Sequence, residues 1–306
     1  GGRPGHERRT TDGRRRMTTA REERGTDGLE VWDVRGGCCN EEDALNTRMS
    51  ELTDAAGRPR ARGLYDPAHD RDSCGVGFVA HLDGVPRHSI VEDAVRVLIN
   101  LEHRGALGGD KSTGDGAGLL MRLPDAFLRR EAPACGFELP PAGEYAVAMV
   151  FLPRDFVLSE RCVKVLERAA EGEGARPLGW RRVPVESAPL GDFARATQPE
   201  VRQFFVARGS IAPEAFERKL YVIRRRAENE VAAFRDEAAA FYVPSFSSRT
   251  LAYKGMLTAG QLPLFYPELR DSLLASPFVI VHQRYSTNTF PTWSLAHPFR
   301  MLAHNG

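Results

Sequence analysis

Apolar positions along the chain repeat with two different periods, and the switches between them mark out elements. Residues 74–80 (Cys74-Gly75-Val76-Gly77-Phe78-Val79-Ala80) form a short apolar run that ends at Asp83-Gly84. That pattern predicts a strand leading into a hairpin-like turn. Ser89-Ile90-Val91-Glu92 has the spacing of a capping box, and Ala94, Val95, Leu98 and Leu101 follow at helical spacing. The spacing predicts a helix that ends near His103-Arg104-Gly105. A Gly-rich loop over 108–118 leads into a predicted strand over 119–123. Further strands are predicted at 145–152, 178–185, 201–206, 241–246, 250–253, 278–285 and 301–304, and a helix at 155–170. Residues 213–239 read as mostly helical, although Leu220-Tyr221-Val222-Ile223 also fits a strand. Strands outnumber helices and come in groups, which favours layered sheets flanked by helices over a doubly wound sheet.

Residues 1–62 follow neither period. They are rich in Arg, Gly, Thr, Asp and Glu, and such a segment buries too little apolar surface to offset its ordering entropy. A disordered tail is expected there. The clusters Arg8-Arg9 and Arg14-Arg15-Arg16 are interrupted by Asp12, Glu22, Glu23 and Asp27, and no aromatics are interleaved with them. This argues against a nucleic-acid arm. Met49-Ser50-Glu51-Leu52 reads as a natural start, which would leave the upstream residues outside the native protein.

With 42% hydrophobic and 27% charged residues, the 306-residue chain has enough apolar material for one large domain or two small ones. Its net charge of +1 points to neither nucleic acid nor a membrane surface as partner. No apolar run approaches the roughly 18 residues of a spanning helix. Five cysteines (Cys38, Cys39, Cys74, Cys135 and Cys162) are odd in number and irregularly spaced. They suit neither a disulfide framework nor a CxxC-type metal site, so no metal and a reducing, cytoplasmic compartment are expected.

Cys74 opens its strand beside Gly75 and Gly77, and glycines next to a nucleophile leave room for a substrate. Taken alone, a single cysteine is more often a small buried hydrophobe. The C-terminal stretch raises its standing. Residues 282–293 and 296–306, from His282-Gln283-Arg284-Tyr285-Ser286-Thr287-Asn288-Thr289 to His304-Asn305-Gly306, are dense in polar groups at strand ends.

Together these motifs resemble a known family. They are Cys74-Gly75-Val76-Gly77-Phe78, Leu101-Glu102-His103-Arg104-Gly105-Ala106, Thr113-Gly114-Asp115-Gly116-Ala117-Gly118, Ser247-Ser248-Arg249-Thr250 with Tyr253-Lys254-Gly255-Met256-Leu257, and the 282–306 stretch. Over about residues 63–306 they resemble the glutaminase domain of the glutamate synthase large chain, a class II, N-terminal-nucleophile amidotransferase. The resemblance implies an α+β fold, the four-layer α/β/β/α sandwich of N-terminal-nucleophile hydrolases, with a domain over 74–306 preceded by the end of a propeptide at 63–73. It also implies that Cys74 becomes the first residue by cleavage after Ser73. Its α-amine, with a pKa of about 8, then serves as base for its own thiol. Asn305 and the backbone N–H of Gly306 would form the oxyanion hole. Arg284 would take the substrate α-carboxylate, for which its planar fork is suited. Thr287, in the loop 286–289, would shape the glutamine pocket, and Arg104 and Asp115 would support the site.

The sequence stops at Gly306, inside a motif that the family continues, so the domain is expected to be incomplete and the fragment alone inactive. In the family, FMN and an iron–sulfur cluster belong to a synthase region absent from this sequence. A small NAD(P)H-oxidising subunit or ferredoxin is the partner implied there. The nearest alternative is the glutaminase domain of another class II amidotransferase, one serving purine or amino-sugar synthesis.

Overall fold

The first strand in the chain pairs with the last one described. β1 (Val76–Ala80) runs antiparallel to β8 (Phe278–Gln283), with Val76 opposite His282 and Ala80 opposite Phe278. β8 also pairs with β2 (Ala117–Arg122), and β2 with β7 (Thr250–Gly255), giving a four-stranded antiparallel sheet in the order β1-β8-β2-β7. A second antiparallel sheet has the order β4-β5-β3-β6, built from β3 (Tyr145–Leu152), β4 (Arg176–Arg182), β5 (Glu200–Ala207) and β6 (Tyr242–Ser247). These features come from a computed structural model, which describes residues 60–61, 63, 66, 75–110, 112–234, 240–286 and 289–299. The chain divides into two units, 1–71 and 72–306, and every strand and helix described lies in the second. The predicted strand at 301–304 and the tail upstream of residue 60 lie outside the described residues.

β3 is buried along its whole length, and its side chains divide by the period of two. Tyr145, Val147, Met149 and Phe151 enter a core shared with β2, β7 and β8 of the first sheet. Ala146, Ala148, Val150 and Leu152 pack beneath two helices, α3 (Phe156–Gly172) and α5 (Pro213–Ala232). A strand covered on both faces reads as one continuous apolar run, so its bounds were predictable.

Helix α1 (His88–Asn100) lies against β1 and β8 and buries Ile90, Val91, Ala94 and Leu98. It begins one residue before the predicted capping box. Arg87 occupies the N-cap without a side-chain hydrogen bond that caps the helix, and Ser89 lies inside the first turn. A tertiary contact fixes this start: the His88 ring Nδ1 is 2.9 Å from the Leu274 carbonyl. The helix ends at Asn100, and a 3-10 turn, Glu102–Arg104, continues the chain. The Asp83-Gly84 turn forms, but the chain leaves it for α1, so β1 finds its partner far away in sequence. α3 starts where expected, because the Asp155 carboxylate accepts from the Leu158 N–H at 2.8 Å. The ambiguous residues 220–223 are helical: Phe216, Leu220, Ile223, Ala227 and Val231 make one buried stripe of α5, while Tyr221 is exposed. Three short helices escaped the periodicity, α2 (Asp125–Glu131), α4 (Asp192–Ala196) and α6 (Leu262–Phe265). The architecture is therefore α+β, with two antiparallel sheets and helices packed on each. Among the described residues, no helix is long and apolar enough to cross a membrane.

A buried ionic cluster joins the sheets. Arg181 of β4 donates to the Glu268 carboxylate at 2.7 Å and to Glu131 at 3.0 Å. The Tyr253 hydroxyl of β7 donates to the other Glu268 oxygen at 2.6 Å. Burial and the adjacent Glu268 charge hold the Tyr253 phenol well above its ordinary pKa, so it stays a donor. Glu268→Ala should cost about 3 kcal/mol in denaturant unfolding, because it strands the Arg181 charge in the interior. A loss below about 1 kcal/mol would show that Glu131 alone satisfies Arg181.

Candidate active site

The site begins where β1 and β8 meet. The Gln283 N–H donates to the Gly75 carbonyl at 2.7 Å, so the residue after Cys74 lies beside the residue before Arg284. The approach is so close that a Cβ on Gly75 would overlap the Gln283 carbonyl. Gly105 permits a second close approach, since a Cβ there would overlap the Gln283 side-chain amide. The turn that carries Arg104 is thereby drawn to Gly75: the Arg104 Cβ is 3.8 Å from the position a Gly75 Cβ would take. The Gln283 Oε1 is buried and has no hydrogen-bond partner among the described residues.

The Gly-rich loop forms the next wall. Its two ends close on themselves, with the Gly108 N–H donating to the Thr113 carbonyl at 2.7 Å and the Asp115 N–H to the Ala106 carbonyl at 3.1 Å. Asp110 anchors the loop by accepting from the backbone and hydroxyl of Thr113, which hold its carboxyl far below the usual range. Gly116 has φ +142°, a conformation few other residues adopt. Its carbonyl accepts from the Arg284 N–H at 2.8 Å.

Arg284 lies just beyond the end of β8, and only 8% of its surface is exposed. Its guanidinium donates to the Asp115 carbonyl at 3.1 Å, the Ser286 hydroxyl at 3.1 Å and the Thr289 hydroxyl at 2.8 Å. The Asp115 carboxylate is turned to another task, accepting from the Ser286 N–H at 2.6 Å. Arg284 therefore makes no ion pair among the described residues, and all three of its acceptors are neutral oxygens. Burial lowers its pKa, and the Asp115 charge only partly offsets that. A buried guanidinium held by neutral groups is prepared to take an anion.

Of the residues the sequence singled out, Arg104, Asp115 and Arg284 come together around Gly75 and the Gly-rich loop. Cys74, Thr287, Asn305 and Gly306 lie outside the described residues. Two further cysteines are described: Cys135 is exposed, and Cys162 is buried, with its thiol pushed up to about 11 by burial. A thiol so rarely ionised makes a poor nucleophile.

Sequence reasoning missed the role of Lys254. It is fully buried on β7, and its ammonium donates to the carbonyls of Ala296 at 2.6 Å and Ser294 at 3.1 Å. The rings of Tyr242 and Phe299 lie 4.7 Å and 4.6 Å from Nζ. Burial pushes its pKa down from 10.5 to about 7, with help from the charges of Arg224 and Arg284. Lys254 sits in the Tyr-Lys-Gly-Met-Leu motif, but only the covering loop reveals that its side chain points inward.

The depressed pKa has a defined consequence. Between pH 7 and 10 the unfolded chain holds a proton on residue 254 that the folded chain has released, so stability rises with pH over that window. Each pKa unit is worth about 1.4 kcal/mol. Denaturant unfolding at pH 7 and pH 9.5 should show this rise for the wild type relative to Lys254→Met. Equal pH dependence in the two proteins would mean that Lys254 titrates normally.

The family model described as glutamine amidotransferases class-II matches residues 74–306. The glutamate synthase [NADPH] large chain of Bacillus subtilis is 46% identical over 250 residues, covering 81% of this chain and 16% of the relative. That of Azospirillum brasilense is 45% identical over 244 residues, covering 79% and 16%. The ferredoxin-dependent glutamate synthase 1, chloroplastic/mitochondrial, of Arabidopsis thaliana is 42% identical over 256 residues, covering 81% and 15%. The chain thus spans about a sixth of the length of these curated relatives. By the extent of the family match and the site it encloses, this chain belongs to the class II glutamine amidotransferases.

Proposed function

We propose that this domain hydrolyses the side-chain amide of glutamine through a thioester on Cys74, and that the ammonia released serves glutamate synthesis from 2-oxoglutarate. The observation that carries this reading is Arg284, a buried cation whose partners among the described residues are all neutral and which stands one residue beyond the partner of Gly75. A free amino acid supplies the missing carboxylate. Glutamine bound there by its α-carboxylate has an extended side chain with which to reach a nucleophile at residue 74.

The chemistry proceeds in balanced steps. Cleavage after Ser73 frees the Cys74 α-amine, and residues 63–73 are the end of the propeptide. The amine takes the thiol proton, and the thiolate attacks the amide carbon. The Asn305 amide and Gly306 N–H stabilise the tetrahedral oxyanion, where each such donor is worth about 2.7–4 kcal/mol. The C–N bond breaks as the leaving nitrogen takes a proton, and ammonia departs. Water then cleaves the thioester, returning the thiol and releasing glutamate. Thr287 shapes the pocket, while Arg104 and Asp115 hold the walls in place.

The relatives' names support glutamate synthase as the parent enzyme over purine or amino-sugar synthesis. In that setting FMN and an iron–sulfur cluster belong to a synthase region outside this sequence. Among the described residues no group of three or more His, Cys, Asp or Glu is arranged to hold a metal, so they offer such a cluster no ligand set. A small NAD(P)H-oxidising subunit or ferredoxin would supply electrons, and the compartment would be the cytoplasm.

In the complete gene product, Cys74→Ala should lower glutamine hydrolysis by at least about a thousandfold without loss of fold. Intact-mass analysis of the wild type should find a chain beginning at Cys74. Turnover by the alanine variant, or by enzyme that retains Ser73, contradicts the proposal. Arg284→Lys should raise the glutamine KM about tenfold or more, because a point charge loses the bidentate geometry. An unchanged KM would place the carboxylate elsewhere.

A further inference from the structure

We propose that Lys254 is a positioning residue that clamps the segment 294–299 onto the first sheet, and so fixes the chain as it leads into Asn305 and Gly306. The inference rests on the amide hydrolysis proposed above and adds a residue to it.

Three strands build the clamp. Gly118 of β2 lies opposite Lys254 of β7 on one side and opposite His282 of β8 on the other, so the three residues form one row across the sheet. The segment 294–299 is fastened at each place in that row. Lys254 Nζ holds the carbonyls of Ser294 and Ala296. Gly118 lets the His297 carbonyl approach so closely that a Cβ would lie 2.5 Å from it. His282 Nε2 and His297 Nδ1 are 3.0 Å apart, one donating to the other. Phe299 closes the row, its ring 4.5 Å from that of His297 and 4.6 Å from Lys254 Nζ.

Packing alone does not account for Lys254. A buried amine without a carboxylate is costly, and a methionine of similar volume would fill the same space without that cost. What the amine adds is direction, since its N–H groups fix two backbone carbonyls that no apolar side chain could hold. The segment it fixes also touches the Arg284 wall: a Cβ on Gly116 would lie 2.8 Å from the Ala296 Cα and 3.6 Å from the Arg284 Cβ.

The two functions separate kinetically. Arg284 keeps its own supports, the Asp115 carbonyl, the Gly116 carbonyl and the hydroxyls of Ser286 and Thr289, when Lys254 is changed. Substrate binding should therefore survive. The oxyanion donors follow the clamped segment in the chain, so the loss should appear in the chemical step.

The experiment uses the complete gene product and compares wild type, Lys254→Met, Lys254→Gln and Cys74→Ala in glutamine hydrolysis. Lys254→Met should lower kcat by about tenfold or more, while KM stays within about threefold and the folded fraction is unchanged at the assay temperature. Lys254→Gln should recover part of kcat, because its amide retains two N–H donors. If Lys254→Met does not fold, Phe299→Leu gives the same test, with the same kcat-weighted loss expected. An unchanged kcat, a loss confined to KM, a loss that merely follows unfolding, or no recovery with glutamine each overturns the clamp. Cys74→Ala separates the two proposals. Activity retained there removes the nucleophile reading, whereas an inactive Cys74→Ala beside a fully active Lys254→Met removes the clamp alone.

Discussion

The close pairing of β1 with β8 is the constraint on which the site depends. Gly75 and Gln283 are joined by a hydrogen bond and packed so tightly that a Cβ on Gly75 would overlap the Gln283 backbone carbonyl. The pairing joins residues about two hundred positions apart and brings the neighbour of Cys74 to the neighbour of Arg284. A slip of one residue would turn every β1 side chain to the other face. It would also separate the two strand ends on which the proposed chemistry relies. β8 is held between β1 and β2, and α1 rests against it, so the register is secured from three directions.

Three buried cations show how the interior distributes its electrostatic cost. Arg181 is neutralised by Glu268 and Glu131 and serves to join the sheets. Lys254 is held by carbonyls and aromatic faces, and its nitrogen gives up its proton near neutrality. Among the described residues, Arg284 keeps a charge that only neutral oxygens meet. The first is a structural pair that needs nothing more. The third lacks an anionic partner among the described residues, and the proposed function assigns that place to the substrate carboxylate. The second lies between them and links the sheet to the loop that follows the pocket.

Much of this was legible in the sequence. The β3 run was read with its observed bounds because a strand covered on both faces leaves no polar interruption. The stretch 278–285 was read as strand two residues too far, since an apolar pattern does not show where β8 releases Arg284 into its loop. The Ser89 capping box failed because the His88–Leu274 contact outweighs local capping, and a contact of that sequence separation has no local signature. Arg104, Asp115 and Arg284 were identified through their motifs, and the structure gathers them. Lys254 was not assigned a role, because a lysine within an alternating strand reads as outward-facing until the covering loop is known. The row it forms with Gly118 and His282 depends on strand order, which a single sequence does not state.

The central proposal is that Cys74, which precedes β1 in the chain, and Arg284, just beyond the end of β8, act on one substrate as nucleophile and carboxylate anchor. A crystal structure of the matured enzyme, inactivated by a glutamine analogue with an electrophilic γ-position, tests it most directly. The account predicts a covalent bond to the Cys74 sulfur, with the analogue's α-carboxylate within hydrogen-bond distance of the Arg284 guanidinium. An adduct on any other residue, or a carboxylate bound away from Arg284, would contradict it.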